Sequence, residues 1–268
     1  MKLKNKKMNI SLTGKNALVC GSSRGIGKAS AVVLSQQGAN VTLVSRSEDK
    51  MKSVLAELDD SNGQIHDYLV ADFSNPSELK QKIEDLVSKK NINILVNNTG
   101  GPPGGPIVNA TSEAFLDAYH KHLLCNHLIA TTVIPGMEAS GYGRIINIIS
   151  TSVKSPLNGL GVSNTTRGAV ASWSKTLSNE IGGTGITVNN VLPGFTSTDR
   201  LDEIIQNKVN KTGMTLDETL DTMKSTVPMK RFADPSEVAN AVGFLASPAA
   251  SYITGINLPV DGGRTKCL

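Results

Sequence analysis

The residues able to do chemistry in this chain fall into three stretches. The first is GSSRGIG at 21–27. Gly21 permits a tight turn, and Gly25 and Gly27 let backbone N–H groups and a helix start approach a pyrophosphate. Gly21, Ser23, Arg24, Gly25, Ile26 and Gly27 are therefore the candidate dinucleotide cradle. The spacing is G-x-x-x-G-x-G, not the usual G-x-G-x-x-G fingerprint. The second stretch is Ser45-Arg46, at the end of the next apolar run. A site for NAD usually places a carboxylate here for the ribose hydroxyls, but Glu48 and Asp49 come later. Arg24 and Arg46 suit a 2′-phosphate, which an acid would repel. The expected cofactor is NADP(H), in preference to NAD(H).

The third stretch is GVSNTTRGAV at 161–170. A helix over 162–181, with Ser163 at zero and ~100° per residue, puts Arg167 near 40°, Val170 near −20° and Ile181 near 0°. Ser163 and Arg167 thus begin the stripe that becomes the apolar face. An arginine there needs a partner or a cavity, because such residues are rarely buried alone. A bound dinucleotide supplies one. The alternative is structural: Ser163 as an N-cap and Arg167 paired with a carboxylate at a helix end.

These residues must be held by a scaffold, and size and pattern say which. The chain has 268 residues, 25 glycines and a formal net charge of +4, which fits one α/β domain. Lys2, Lys4, Lys6 and Lys7 make residues 1–9 a basic tail, expected to be flexible. No long apolar run follows it, so it is read as neither secretory signal nor anchor. The basic tail is read as a solvated terminus rather than a nucleic-acid arm, and no segment approaches the ~18 apolar residues of a membrane span, so neither nucleic acid nor membrane is an expected partner. Cys20, Cys125 and Cys267 have no paired or metal-like spacing. Free thiols in a reducing, cytoplasmic setting are expected. His120, His122 and His127 do not share one helical turn and face, so no metal site is expected.

β-Branched runs alternate with helical patterns from residue 16 onward. Strands are expected at 16–20, 40–45, 64–71, 92–98, 144–150 and 185–193. Helices are expected after the glycine turn to about Gln37, from Ser47, from Pro76, over 112–139 and over 162–181. Such alternation means a parallel, doubly wound (Rossmann) sheet in a single domain, here 10–268. The polar segment 199–228 lies where ligands of such sheets bind, and is read as a substrate lid.

The ordered motifs GSSRGIG (21–27), AD (71–72), NNTG (97–100), GRIINIIS (143–150), VNNVLPGFTST (188–198) and YITGINLPVDGG (252–263) resemble the classical short-chain dehydrogenase/reductase family. The likeness is strongest to its 3-oxoacyl-carrier-protein-reductase-like members and covers about residues 10–265. The resemblance implies that Asp72 and Phe73 border an adenine. It implies that Asn98 and Gly100 line the cofactor trough, and that Pro193, Gly194, Thr196 and Thr198 hold the nicotinamide carboxamide and diphosphate. It also implies a small-molecule substrate and a homotetramer built on the helices at 112–139 and 162–181 and the C-terminal strand.

The resemblance implies a catalytic asparagine, serine, tyrosine and lysine. Ser150 matches the serine that polarises a carbonyl. Where the tyrosine is expected stands Ser163, and where the lysine is expected stands Arg167. The asparagine position falls at His122, with Asn126 one turn later. None of the tyrosines, at 68, 119, 142 and 252, has a lysine four residues on, so no shift of register restores the pair. Serine is a far weaker acid than a phenol of pKa ~10. Arginine cannot relay protons as lysine can, but it can fork to ribose hydroxyls.

Three readings stay open. The first is an oxidoreductase of carbonyl or alcohol substrates. In it Ser150 and Ser163 hold the carbonyl, Arg167 stabilises developing charge, and water or His122 gives the proton. The second is an NADP(H)-binding protein without redox turnover, and the third is non-redox chemistry in the same pocket. GGPPGGP (100–106), Lys154 and Asn158 are the candidate pocket walls.

Overall fold

The computed structural model describes residues 7–267. Lys2, Lys4 and Lys6 of the basic run therefore lie outside the described residues, and Lys7 is exposed. Seven parallel strands form one sheet in the order β3-β2-β1-β4-β5-β6-β7. They are β1 (Asn16–Cys20), β2 (Asn40–Ser45), β3 (Asp67–Val70), β4 (Ile94–Asn97), β5 (Gly143–Ile148), β6 (Ile186–Pro193) and β7 (Asn257–Val260). The order reverses between β1 and β4, which is the crevice where doubly wound sheets take ligands.

Helices α1 (Gly25–Gln36) and α9 (Pro235–Ala246) cover one face of the sheet, together with α2 (Glu48–Leu55). Helices α3 (Pro76–Val87), α5 (Cys125–Ala139) and α6 (Gly161–Ile181) cover the other. Both faces are sealed, so β4 and β5 are buried along their whole length, as a parallel sheet requires. Asn75 caps α3, accepting from the Glu78 N–H, with Pro76 at the first helical position.

The expected strands 92–98 and 144–150 are shorter, at Ile94–Asn97 and Gly143–Ile148, and two elements differ more. The third strand is Asp67–Val70 rather than 64–71. Upstream of it, polar side chains divert the backbone from the ladder. The Val41 N–H donates to His66 Nδ1 at 3.1 Å, and the Ile65 N–H donates to Asn40 Oδ1 at 2.8 Å. The helix expected over 112–139 is α4 (Ser112–Tyr119) continuing into α5 through a π-turn at His120–Leu124. Such bulges often occur at functional sites, and this one carries His122.

A buried polar ladder ties α6 to the sheet. Asn97, Asn147, Asn190 and Asn257 stand in register on β4 to β7. Their amides are linked at 2.8, 3.0 and 2.8 Å. Ser174 of α6 accepts from Asn147 at 2.8 Å and donates to Asn190 at 2.8 Å. A slip of register would break these pairings; in this register the Asn97 Oδ1 at the β4 end has no partner among the described residues. The network sets the height of α6 against β5, and so the relative placement of the residues each carries to the site.

The segment 199–228 folds into α7 (Asp199–Thr212) and α8 (Leu216–Ser225). They pack through their own small core of Leu201, Ile205 and Met223 against Phe195 and Phe232. That core is separate from the two main ones.

Candidate active site

Six strands deliver a site residue at their carboxyl ends. Gly21 follows β1, Arg46 follows β2, Asp72 lies just beyond β3, Asn98 follows β4, Ser150 lies just beyond β5 and Gly194 follows β6. The local folding of the turn after β1 depends on its glycines. Gly21 has φ +59°, and a Cβ there would sit 2.6 Å from the Asn98 carbonyl oxygen. A Cβ on Gly27 would sit 2.2 Å from the Gly21 oxygen. Asn98 closes the turn, its amide donating to the carbonyls of Cys20 at 3.3 Å and Gly21 at 3.2 Å.

The start of α1 is open to an anion. Its N-cap, Arg24, makes no side-chain cap, and no acid stands in the first turn. The orphan N–H groups of a helix start, left uncapped, favour a negative partner. Ser23 accepts from Ser45 at 3.0 Å, joining this turn to the end of β2. Arg46 is exposed beside it, and its charge helps hold the Asp72 carboxyl below its ordinary pKa, after the larger effect of the Ser74 N–H. Phe73 is half-buried at the same corner. These features fit a phosphorylated dinucleotide: glycines where a Cβ would clash, uncapped N–H groups, and two arginines without an acid at the end of β2.

On the opposite wall lie Pro193, Gly194, Thr196 and Thr198. Thr196 is buried, and the methyl of Thr198 would be 3.2 Å from a Cβ on Gly25. This wall therefore faces the glycine turn across the trough. Sequence reasoning missed how the wall is latched. Arg24 Nη1 pairs with Asp199 Oδ2 at 2.7 Å, and Arg200 Nη2 donates to the Pro102 carbonyl at 2.9 Å. The first two residues of α7 thus grip the phosphate turn and the glycine/proline loop.

Ser150 ends the extension of β5. Its oxygen accepts from the Ser152 N–H at 3.1 Å, which leaves its own O–H able to donate. Arg167, on α6, is 8% exposed, and its Nη1 donates to the Ile148 carbonyl at 2.9 Å. Burial lowers its pKa to about 10, so it stays charged at neutral pH. No carboxylate among the described residues pairs with it. The structural alternative raised by sequence is therefore corrected on both counts: Arg167 meets a carbonyl, and the N-cap of α6 is Leu160, with Ser163 inside the first turn. Ser163 is half-buried one turn before Arg167.

His122 is 2% exposed, and its Nδ1 lies 2.6 Å from Thr99 Oγ1. Burial, with the charges of Arg167 and Lys121, lowers its pKa from 6.5 to about 2. It is a neutral imidazole at physiological pH, not the near-neutral proton donor its residue type suggests. Thr99, its partner, was not singled out by sequence; it stands inside the NNTG motif beside Gly100, which is exposed and open. Asn126 is buried on α5 with an unpaired side-chain oxygen. Among the described residues no cluster of ligating side chains forms a metal site.

The fold and this set of strand-end residues define a classical short-chain dehydrogenase/reductase, and so an oxidoreductase. More narrowly, the chain belongs to the family described as enoyl-(acyl carrier protein) reductase, whose model matches residues 21–265, and it resembles 3-oxoacyl-carrier-protein reductases within it. It is 34% identical over 257 residues to the 3-oxoacyl-[acyl-carrier-protein] reductase FabG of Vibrio cholerae, covering 95% of this chain and 98% of that one. An L-sorbose reductase from Gluconobacter frateurii, solved with NADPH and L-sorbose, superposes with TM-score 0.90 at 31% identity, over 97% of this chain and 100% of that one. YwfH, an NADPH-dependent reductase involved in bacilysin biosynthesis, superposes with TM-score 0.87 at 30% identity, over 95% and 99%.

Proposed function

We propose that this chain is an NADP(H)-dependent oxidoreductase of a small carbonyl or alcohol substrate, with Ser163 and Arg167 standing where its relatives' pattern has tyrosine and lysine. The observation that carries the cofactor reading is the uncapped start of α1 flanked by Arg24 and Arg46, with no acid at the end of β2. The NADPH named with the sorbose reductase and YwfH supports the same choice.

NADPH bound there supplies a hydride. Gly21, Ser23, Gly25, Ile26 and Gly27 bind its diphosphate through the turn, and Arg24 and Arg46 bind the 2′-phosphate. Asp72 and Phe73 border the adenine, and Asn98, Gly100, Pro193, Gly194, Thr196 and Thr198 line the trough. Ser150 donates its O–H to the substrate carbonyl, with Ser163 as the second hydroxyl. Arg167 stays cationic and stabilises the negative charge that grows on the carbonyl oxygen. Ordered water carries the proton, because neither serine nor arginine is a competent acid near neutrality. His122, neutral and fixed by Thr99, positions that water rather than donating as an imidazolium.

The hairpin α7–α8 acts as the lid over the substrate, consistent with its separate core and its two latches. The three free cysteines suit a reducing cytoplasm, and among the described residues no helix is long and apolar enough to cross a membrane. The proposed assembly is a homotetramer through α4 to α6 and β7, to be checked by light scattering after size exclusion.

A second reading is a protein that binds NADP(H) without turnover, or that does non-redox chemistry in the same pocket. What favours it is that the buried pair His122 and Arg167 titrate near 2 and 10, both far from neutrality. Fluorescence titration with NADPH and NADH separates cofactor choice from chemistry. Tighter binding of NADPH, weakened in Arg24→Ala and Arg46→Ala, is the expected result. No micromolar binding of either nucleotide would overturn the reading.

A further inference from the structure

Arg167 is a cation buried without a counter-ion among the described residues. It is more than nine-tenths buried, and among the described residues its hydrogen bond goes to a neutral carbonyl, that of Ile148. A guanidinium has five N–H donors in a planar fork, so most of its binding capacity is unspent. Burial first, and then this charge, keeps His122 neutral. Nicotinamide ribose hydroxyls can accept from this fork, but they are neutral and leave the charge uncompensated. Buried charges are normally paired, and leaving one unpaired is costly.

The open edge of the guanidinium has a direction. Nη2 lies 4.0 Å from where a Cβ on Gly101 would stand. Gly101 belongs to the glycine/proline loop, whose residues 102–106 line a cleft of about 320 Å³ together with Val162. Val162 adjoins Ser163, and Ser163 lies one helical turn before Arg167. Gly101 sets no side chain against that edge, and Ser163, half-buried, carries a hydroxymethyl group in place of a ring. Arg167 Nη2 thus lies beside Gly101, next in the chain to the cleft-lining Pro102, and Nη1 reaches the Ile148 carbonyl two residues before Ser150.

We infer that Arg167 is the anion subsite of the substrate pocket, and that the substrate is a short oxo acid whose carboxylate takes the guanidinium fork while its carbonyl meets Ser150 and Ser163. The substrate class rests on the oxidoreductase reading above; the anion subsite is tested independently of it. In a short oxo acid the carboxylate lies one or two carbons from the reacting carbonyl. The cation that holds the carboxylate is then also close enough to stabilise charge developing on the carbonyl oxygen.

The test is calorimetric binding of oxamate, a non-reducible oxo-acid mimic, and of oxamide, its neutral counterpart. It is run on the full chain with and without NADPH. Wild type is expected to prefer oxamate by about tenfold or more, the scale of a charge-assisted bidentate contact. Arg167→Met should bind both equally. Arg167→Lys keeps the charge but loses the fork, so it should retain the preference while binding oxamate several-fold more weakly. Equal binding by wild type, no oxamate binding, or an unchanged oxamate affinity in either variant would overturn the subsite. If Arg167→Met does not fold, Arg167→Lys alone decides. NADPH fluorescence in the same samples reports the cofactor reading separately: its failure would sink that reading and leave the anion result standing.

Discussion

Arg167 reaches from α6 to the last residue of β5, donating a 2.9 Å hydrogen bond to the carbonyl of Ile148, two residues before Ser150. The side chain proposed to stand in the place of a proton-relaying lysine is thus also a strut between the helix carrying Ser163 and the strand whose extension carries Ser150. Replacing Ser163 with tyrosine and Arg167 with lysine restores the acid and the relay that the family pattern uses. Reduction of generic carbonyls by the folded double variant should rise by about a hundredfold, the lower range of general-acid catalysis. Steady-state assays with a panel of ketones check this. No gain would mean the pocket has diverged beyond these two positions.

His122 makes stability depend on pH. Its folded pKa is depressed to about 2 from 6.5, so between these values the unfolded chain binds a proton that the folded chain does not. Stability therefore rises with pH across that window: the contribution is complete above pH 6.5 and is lost progressively as pH falls toward 2. His122→Asn removes this dependence. Urea melts at several pH values should show a shallower slope below pH 6.5, by up to about 1.4 kcal/mol per pH unit for one proton. An unchanged slope would show that His122 is solvated when folded.

The glycine turn offers a paired comparison. Gly27→Ala puts a Cβ 2.2 Å from the Gly21 oxygen, a backbone atom that cannot give way. It should destabilise the fold by about 1–3 kcal/mol, as overpacking does, and abolish nucleotide binding. Gly100→Ala meets nothing within 4 Å and should leave the melting temperature unchanged. Thermal melts of the two variants read the difference.

Asp199 pairs with Arg24, the residue proposed to hold the 2′-phosphate. The pair at 2.7 Å is exposed on both sides, so its breaking costs little. Asp199→Asn should free Arg24 and tighten NADPH binding by about threefold while leaving NADH unaffected. It should also make α7 easier to cleave by limited proteolysis, since one latch is gone. Equal changes for the two nucleotides would detach Arg24 from the 2′-phosphate.

The readable parts of the site were those encoded locally. GSSRGIG announces its turn because positive φ and close approach demand glycine at 21, 25 and 27, and β4 to β6 announce themselves by apolar runs. Arg167 on the buried stripe followed from helical spacing alone. What escaped was set by tertiary contact. Asp199 is separated from Arg24 by 175 positions, and no periodicity links them. The neutral state of His122 comes from burial and a nearby guanidinium, neither visible in the residue type. The overlong third strand had the apolar and β-branched residues of a strand, but His66 and Asn40 spend their side chains on the backbone.

Hydride is proposed to move in a site with serine and arginine in place of tyrosine and lysine. The direct measurement is a single-turnover reaction of the protein with NADPH deuterated at the transferable position, against a panel of short oxo acids, followed by mass spectrometry of the products. The expected product is a hydroxy acid carrying one deuterium on its carbinol carbon, with matching loss of reduced nicotinamide. Tight NADPH binding with no deuterium in any product would contradict the proposal, and would leave a cofactor-binding protein that does not reduce.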